Sequence, residues 1–249
     1  MNIPENLDRP SVIASLIDHT LLKPEATKHA IARLCAEARE YSFATVCVNP
    51  CWVHFAAEQL IGSAVKVCTV IGFPLGANET QTKLFEADLA ISHGAAEVDM
   101  VQNVGALITG DQDYIRREIE RIAHFVHARD AILKVILETS LLEDEQKRTA
   151  CLIAAESRAD FVKTSTGFSG GGASVDDILL MRQTVGGSMG VKASGGVRTL
   201  AALTALVRAG ATRIGTSSGV QILREVLNPA PVSHTNSNSP ASGDTAGKY

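Results

Sequence analysis

Residues 160–194 read DFVKTSTGFSGGGASVDDILLMRQTVGGSMGVKAS, and this stretch holds one complete strand–helix–strand unit. The apolar run 160–164 has the length and composition of a buried strand. Ser174, with Asp177 three residues on, has the pattern of a side-chain-capped helix start. The helix expected over 175–185 meets Gly186, where a helix should stop. A second short run, 191–194, follows. Two strands joined through a helix run parallel, with a right-handed crossover.

The same alternation extends outward in both directions. Strands are expected at 15–18, 45–48, 65–71, 97–101 and 132–138 before this unit, and at 212–215 after it. Helices are expected at 27–41, 79–93, 113–129, 144–157 and 199–209. Asn78-Glu79-Thr80 resembles another capped start, and Gly94 and Gly210 stand at expected helix ends. Eight strands in this rhythm predict an α/β fold, a closed (β/α)₈ TIM barrel, and 249 residues suit one such barrel. An open doubly wound sheet is the competing architecture, but its GxGxxG marker does not follow the first strand. The barrel is expected over residues 1–227. Residues 228–249, NPAPVSHTNSNSPASGDTAGKY, are rich in Ser, Pro, Asn and Gly and read as a flexible tail.

The bulk properties narrow the function. Hydrophobic residues make up 45% of the chain and charged residues 20%, as in ordinary globular proteins. A net charge of −4 offers no basic face for nucleic acid or an anionic membrane. No apolar run approaches a membrane span, and the opening MNIPENLDRP lacks a signal-peptide pattern. Five cysteines without a CxxC pair suit a reducing, cytoplasmic setting. Cys47 and Cys51 in CVNPC make a weak metal motif, and the seven histidines show no ligand spacing, so neither metal nor cofactor is expected.

In such a barrel the chemistry sits at the C-terminal ends of the strands. Four expected strands carry a lysine. Lys66 and Lys134 come early and should lie low, whereas Lys163 and Lys192 come late and should meet near the mouth. A lysine attacks a carbonyl only as the neutral amine, and an ordinary lysine is neutral about once in 2,500 at pH 7. A second cation and partial desolvation both favour the neutral form. Two solvated or ion-paired lysines are the alternative. Asp99, read at the end of strand four, could move protons or simply pair with a lysine. Asp18 could position a substrate hydroxyl, join a proton relay, or cap a turn with His19 and Thr20; Glu138 is similarly open. Three loops rich in glycine and hydroxyls follow strands six to eight: Ser165-Thr166-Gly167 with Gly170–Gly172, Ser194-Gly195-Gly196-Val197-Arg198, and Gly215-Thr216-Ser217-Ser218-Gly219. Together they suit a phosphate group, with Arg198 as a charged partner.

At these residues the sequence resembles the deoxyribose-phosphate aldolases. The matching segments are LIDHTLLKP at 16–24, ATVCVNP at 44–50, VIGFPLG at 70–76, EVDMVQN at 97–103, KVILET at 134–139, FVKTSTGF at 161–168, VKASGGVRT at 191–199 and IGTSSG at 214–219. The resemblance covers about residues 12–225. It implies reversible, metal-independent cleavage of 2-deoxy-D-ribose 5-phosphate to D-glyceraldehyde 3-phosphate and acetaldehyde, in deoxynucleoside catabolism. It implies that Lys163 forms the Schiff base, that Lys192 tunes it, and that Asp99 relays protons with water. Gly195, Gly196, Arg198, Gly215, Ser217 and Ser218 match phosphate-binding positions, with Thr166 and Gly167 nearby, and Cys47 matches a cysteine lining the site. Some relatives carry a lysine where Phe168 stands. Some end in a tyrosine that assists proton transfer, as Tyr249 would here. A homodimer is the oligomer the resemblance suggests. Two other readings are a Schiff-base barrel using ketone or pyruvate donors, and a barrel that binds sugar phosphates without turnover.

Overall fold

The computed structural model describes residues 6–228. Among these residues eight parallel strands close into a barrel in sequence order. They are β1 (Ile17–Leu21), β2 (Thr45–Val48), β3 (Lys66–Ile71), β4 (Glu97–Val101), β5 (Ile132–Ile136), β6 (Phe161–Lys163), β7 (Gly190–Ser194) and β8 (Arg213–Thr216). The helices are α1 (Pro10–Ser15), α2 (Lys28–Tyr41), α3 (Val53–Gln59), α4 (Thr80–Ser92), α5 (Val104–Ile108), α6 (Gln112–His127), α7 (Asp144–Glu156), α8 (Val175–Val185), α9 (Leu200–Arg208) and α10 (Gly219–Leu227). The expected tail, beyond Asn228, lies outside the described residues, and so does Tyr249.

Period-two alternation along the strands divides the barrel into two environments. Val98 and Met100 of β4, Leu133 and Val135 of β5, and Val162 of β6 belong to the large apolar core beneath the helices. Their neighbours Glu97, Asp99, Lys134 and Lys163 meet one another inside the barrel. The interior is therefore a layer of ionic side chains where branched apolar residues usually dominate. Phe161, buried and paired in register with Lys134, stands beside this layer. A side chain on Gly190 would lie 2.2 Å from that ring, so the two positions share one space.

Several boundaries differ from the sequence reading. The expected first strand at 15–18 is displaced: Pro10 at the first helical position starts α1, and β1 begins only at Ile17. It continues through the polar His19 and Thr20, which an apolar count would pass over. Asp18 is thus the second residue of five, and Asp99 is the third of five in β4; neither ends its strand. β5 stops at Ile136 because Glu138 turns to φ 59°. The short helices α1, α3 and α5, and the last barrel helix α10, add to the helices whose bounds the sequence reading gave. The remaining ends agree within two residues, the usual scatter of helix and strand limits. Among the described residues no helix is long and apolar enough to cross a membrane.

Candidate active site

Register brings the chemistry together. Lys163 and Lys192 are directly paired across β6 and β7, and Asp99 faces Lys134 across β4 and β5. One oxygen of Asp99, Oδ2, accepts from both Lys163 Nζ at 2.8 Å and Lys192 Nζ at 2.7 Å. Its other oxygen, Oδ1, accepts from Lys134 Nζ at 2.7 Å and from the Cys68 thiol at 3.2 Å. Lys134 also pairs with Glu97 at 2.7 Å. Asp18 pairs with Lys192 and takes Arg213 Nη1 at 2.6 Å, and Arg213 reaches Glu97 at 2.9 Å. Lys134, expected low in the barrel, joins this network through Glu97, Asp99 and Cys68 and does not line the cleft; Lys66 is exposed and apart from it.

Four cations, Lys134, Lys163, Lys192 and Arg213, thus meet three carboxylates, Asp18, Glu97 and Asp99. Burying ions costs free energy that only mutual pairing offsets. Burial alone would raise the Asp99 pKa, but Lys134, Lys163 and Lys192 outweigh it and hold it well below the carboxylate range. Asp18 likewise stays low against burial, through Arg213, Lys192 and Lys134. Burial disfavours charge on Lys192, yet Asp18 and Asp99 push its pKa above the ordinary lysine value. Lys134 is raised in the same way, by Asp99 first. Lys134, Lys192 and Arg213 balance the three carboxylates one for one.

Above the cluster a cleft of about 380 Å³ opens. Lys163 and Lys192 form its floor. Gly195, Gly196 and Arg198 after β7, and Gly215 and Ser217 on β8 and its following loop, line one side, with Thr166, Gly167 and Phe168 on another. Thr20, Leu22 and Lys23 complete it from the end of β1. Gly167, Gly195 and Gly196 have φ of 86°, 89° and 79°, where an L side chain is strained. Ser218 is the N-cap of α10 beside this rim but is not one of the residues lining the cleft. The N-terminus of α10, like that of α9 capped by Thr199, supplies partial positive charge at the cleft edge.

Two expected residues lie beneath the cleft instead of on its wall. Asp18 is fully buried, pairs with Lys192 and is not among the residues lining the cleft. Cys47 is buried in a small apolar cluster with Leu22, Cys68 and Val70, against which Phe73 packs. A hydrogen bond with Cys68 lowers its thiol pKa against the effect of burial. The ligand atoms of Cys47, Cys68 and Asp99 fall within 4.8 Å of one another, as do those of Asp18, Cys68 and Glu97. Lys134 Nζ already donates to Cys68 Sγ at 3.3 Å and to Asp99, so a metal ion would compete with the chain's own cation for these lone pairs. Sequence reasoning passed over Glu97, Arg213 and Cys68. The usable signal was period two: Glu97 stands two residues before Asp99, and Arg213 two before Gly215.

The model of the DeoC/LacD family aldolases matches residues 12–228. A deoxyribose-phosphate aldolase of Geobacillus sp. (strain WCH70) is 59% identical over 211 residues, 85% of this chain and 94% of that protein. One of Enterococcus faecalis is 58% identical over 208 residues, 84% of this chain and 94% of that protein. Among solved structures, the tetrameric deoxyribose phosphate aldolase of Aeropyrum pernix superposes with a TM-score of 0.82 at 35% identity, over 87% of this chain and 92% of that one.

Proposed function

This chain belongs to the DeoC/LacD family of aldolases, and from that premise we propose that it cleaves 2-deoxy-D-ribose 5-phosphate to D-glyceraldehyde 3-phosphate and acetaldehyde through an imine on Lys163. The observation that carries this reading is the pair of lysines sharing one Asp99 oxygen at the floor of a glycine-rimmed cleft.

In the proposed reaction the neutral Lys163 amine attacks C1 of the ring-opened sugar. Loss of water leaves a protonated imine, which draws electrons from the C2–C3 bond. The C3 hydroxyl gives up its proton, through a water, toward Asp99. The C2–C3 bond breaks, glyceraldehyde 3-phosphate departs, and an enamine remains. Protonation at carbon and hydrolysis release acetaldehyde and restore the amine. Lys192 is the fixed cation: Asp18 and Asp99 hold it charged, so it repels a proton on Lys163. Asp99 loses one of its three cations whenever Lys163 is neutral, and it becomes more basic at that stage. The imine is the electron sink, so the scheme calls on no metal or organic cofactor.

The phosphate is assigned to the wall of Gly195, Gly196, Arg198, Gly215 and Ser217, with Ser218, Thr166 and Gly167 close by. Held at that distance, it orients the reacting carbons above the lysines. Phe168 adds no charge to this wall. Residues 228–249 are assigned as a segment separate from the barrel domain, and Tyr249 as an aid to protonation of the enamine. We assign the protein to the cytoplasm and to a homodimer; a relative forms a tetramer. Release of glyceraldehyde 3-phosphate from 2-deoxyribose 5-phosphate, followed by a coupled reductase, tests the substrate. Cleavage only of ketone- or pyruvate-derived aldols would contradict it.

A further inference from the structure

Glu138 is buried, yet it is not among the residues lining the cleft. It stands between β5 and the turn Thr139–Leu141, at φ 59° and ψ 61°. A side chain in this left-handed region carries a conformational cost and persists where its surroundings over-determine it. The surroundings here are four donor contacts. The Thr166 amide donates to both carboxylate oxygens, at 3.2 and 3.3 Å. The Thr166 hydroxyl donates to Oε2, and the Ser169 hydroxyl reaches the same oxygen at 3.1 Å. Thr166 Oγ1 in turn accepts from the Phe168 amide at 3.0 Å. One carboxylate therefore fixes both ends of the segment Thr166-Gly167-Phe168-Ser169.

That segment opens the loop from β6 to α8, whose later residues are tied elsewhere. A side chain on Gly171 would lie 2.3 Å from Ser140 Cβ, so the loop packs directly on the turn that follows Glu138. Ala173 N donates to Gly195 O at 3.1 Å, and a side chain on Gly172 would lie 2.5 Å from the same oxygen. The loop is a strap, fastened at Glu138 and Ser140 on one side and at Gly195 on the other. Between the fastenings, Thr166, Gly167 and Phe168 line the cleft. Phe168 also meets Phe73 edge-on, with ring centroids 5.3 Å apart.

We propose that Glu138 is a positioning residue for the phosphate-binding cleft, acting through this strap; the proposal rests on the aldolase reading given above. Lys163 is held by bonds in which the Glu138 carboxylate takes no part: the Leu137 amide donates to its carbonyl at 2.9 Å, and its ammonium meets Asp99 at 2.8 Å. Loss of the Glu138 carboxylate therefore loosens the hold on phosphate while leaving imine formation intact. A carboxylate suits the place because every partner is a donor. Glutamine keeps one acceptor oxygen but replaces the other with an N–H₂ donor, so the charge is lost and the Thr166 and Ser169 hydroxyls would have to turn from donating to accepting.

The test uses Glu138→Gln, Glu138→Gly and Ser169→Ala in the full chain. Glycine adopts the left-handed backbone freely, so Glu138→Gly removes the carboxylate without backbone strain. Circular dichroism establishes which variants are folded. Each is assayed for steady-state cleavage of 2-deoxyribose 5-phosphate and for borohydride trapping of acetaldehyde on Lys163. Both Glu138 variants should raise KM about tenfold, the equivalent of one hydrogen bond to a charged group. Their kcat should stay within about threefold, with trapping at the unaltered level; Ser169→Ala should move KM the same way by less. An unchanged KM in the folded variants overturns the proposal. So does a parallel loss of kcat and trapping at constant KM, which would put Glu138 in the chemistry. Absence of turnover by the unaltered chain would remove the substrate reading, and this proposal with it.

Discussion

Replacing Lys192 with methionine removes a charge while keeping an unbranched side chain of similar length. In the native site Lys163 and Lys192 both contact Asp99 Oδ2, at 2.8 and 2.7 Å. Their nitrogens therefore lie no more than about 5.5 Å apart, and two unit charges at that separation repel by about 3 kcal/mol at an effective dielectric of 20. The substitution withdraws this repulsion and leaves Asp99 free to favour the charged form of Lys163. The neutral amine should become about 100-fold scarcer near neutral pH, since 1.36 kcal/mol corresponds to a factor of ten. The assay is kcat/KM for 2-deoxyribose 5-phosphate as a function of pH. Lys192→Met should lose about 100-fold at pH 7, and much of that deficit should disappear as rising pH supplies the neutral amine. Lys192→Arg, which keeps the charge, should lose less at pH 7. A deficit of constant size across the pH range would refute the electrostatic role, as would full activity in Lys192→Met.

Three further outcomes follow from the same geometry. Asp18→Asn leaves Lys192 and Arg213 short of a buried counter-charge; it should cost about 3–5 kcal/mol of stability and lower Tm by about 2–4 °C per kcal/mol, and an unchanged Tm in calorimetry would contradict it. The ionic cluster should contribute stability evenly between acid and alkali. Asp18 and Asp99 are depressed from 3.8, so their contribution is present above that value and is lost only as pH falls through their lower folded values. Lys134 and Lys192 are raised from 10.5, so theirs is present below that value and is lost only as pH rises through their higher folded values. In the Asp18→Asn background this acid-side contribution should shrink, so Tm should fall less steeply below about pH 4 than in the unaltered chain, which calorimetry between about pH 2 and about pH 5 would read; equal slopes would contradict it. Arg198→Ala should raise KM for the phosphorylated sugar by about 10- to 100-fold, the loss of one charge-assisted hydrogen bond, with acetaldehyde trapping unaltered; equal effects on both assays would place Arg198 outside the phosphate wall.

The barrel was readable because its outer face obeys simple rules. Val98, Met100, Val135 and Val162 face the helices and keep the strands recognisably apolar. Ser174 does accept from the Asp177 amide, as a capped helix start requires. Charged residues inside strands then stood out, and late position in the strand separated Lys163 and Lys192 from Lys66. The same rule kept Lys134 off the cleft, whose lining includes Lys163 and Lys192 but not Lys134, which pairs with Glu97 at the start of β4. Asp18 sits deeper than the sequence suggested because the first strand was drawn to stop where hydrophobicity ended, whereas the bounds expected for β4 hold and Asp99 is its middle residue. His19 and Thr20 continue β1 by hydrogen bonding to its neighbours, which an apolar count does not register. The counter-ions Glu97 and Arg213 were hidden for a different reason. Their pairing joins residues 116 apart in the chain, and only barrel closure brings them into contact. Glu138 was seen but left undecided, since its partners lie in the β6 loop and its left-handed backbone leaves no mark in composition.

The most direct measurement of the central claim is intact mass after borohydride reduction in the presence of acetaldehyde, followed by peptide mapping. A two-carbon adduct confined to Lys163, absent in Lys163→Leu, is the predicted result. A folded protein that gains no adduct, or that carries it on Lys192 with Lys163 unmodified, would contradict the assignment of the Schiff base to Lys163.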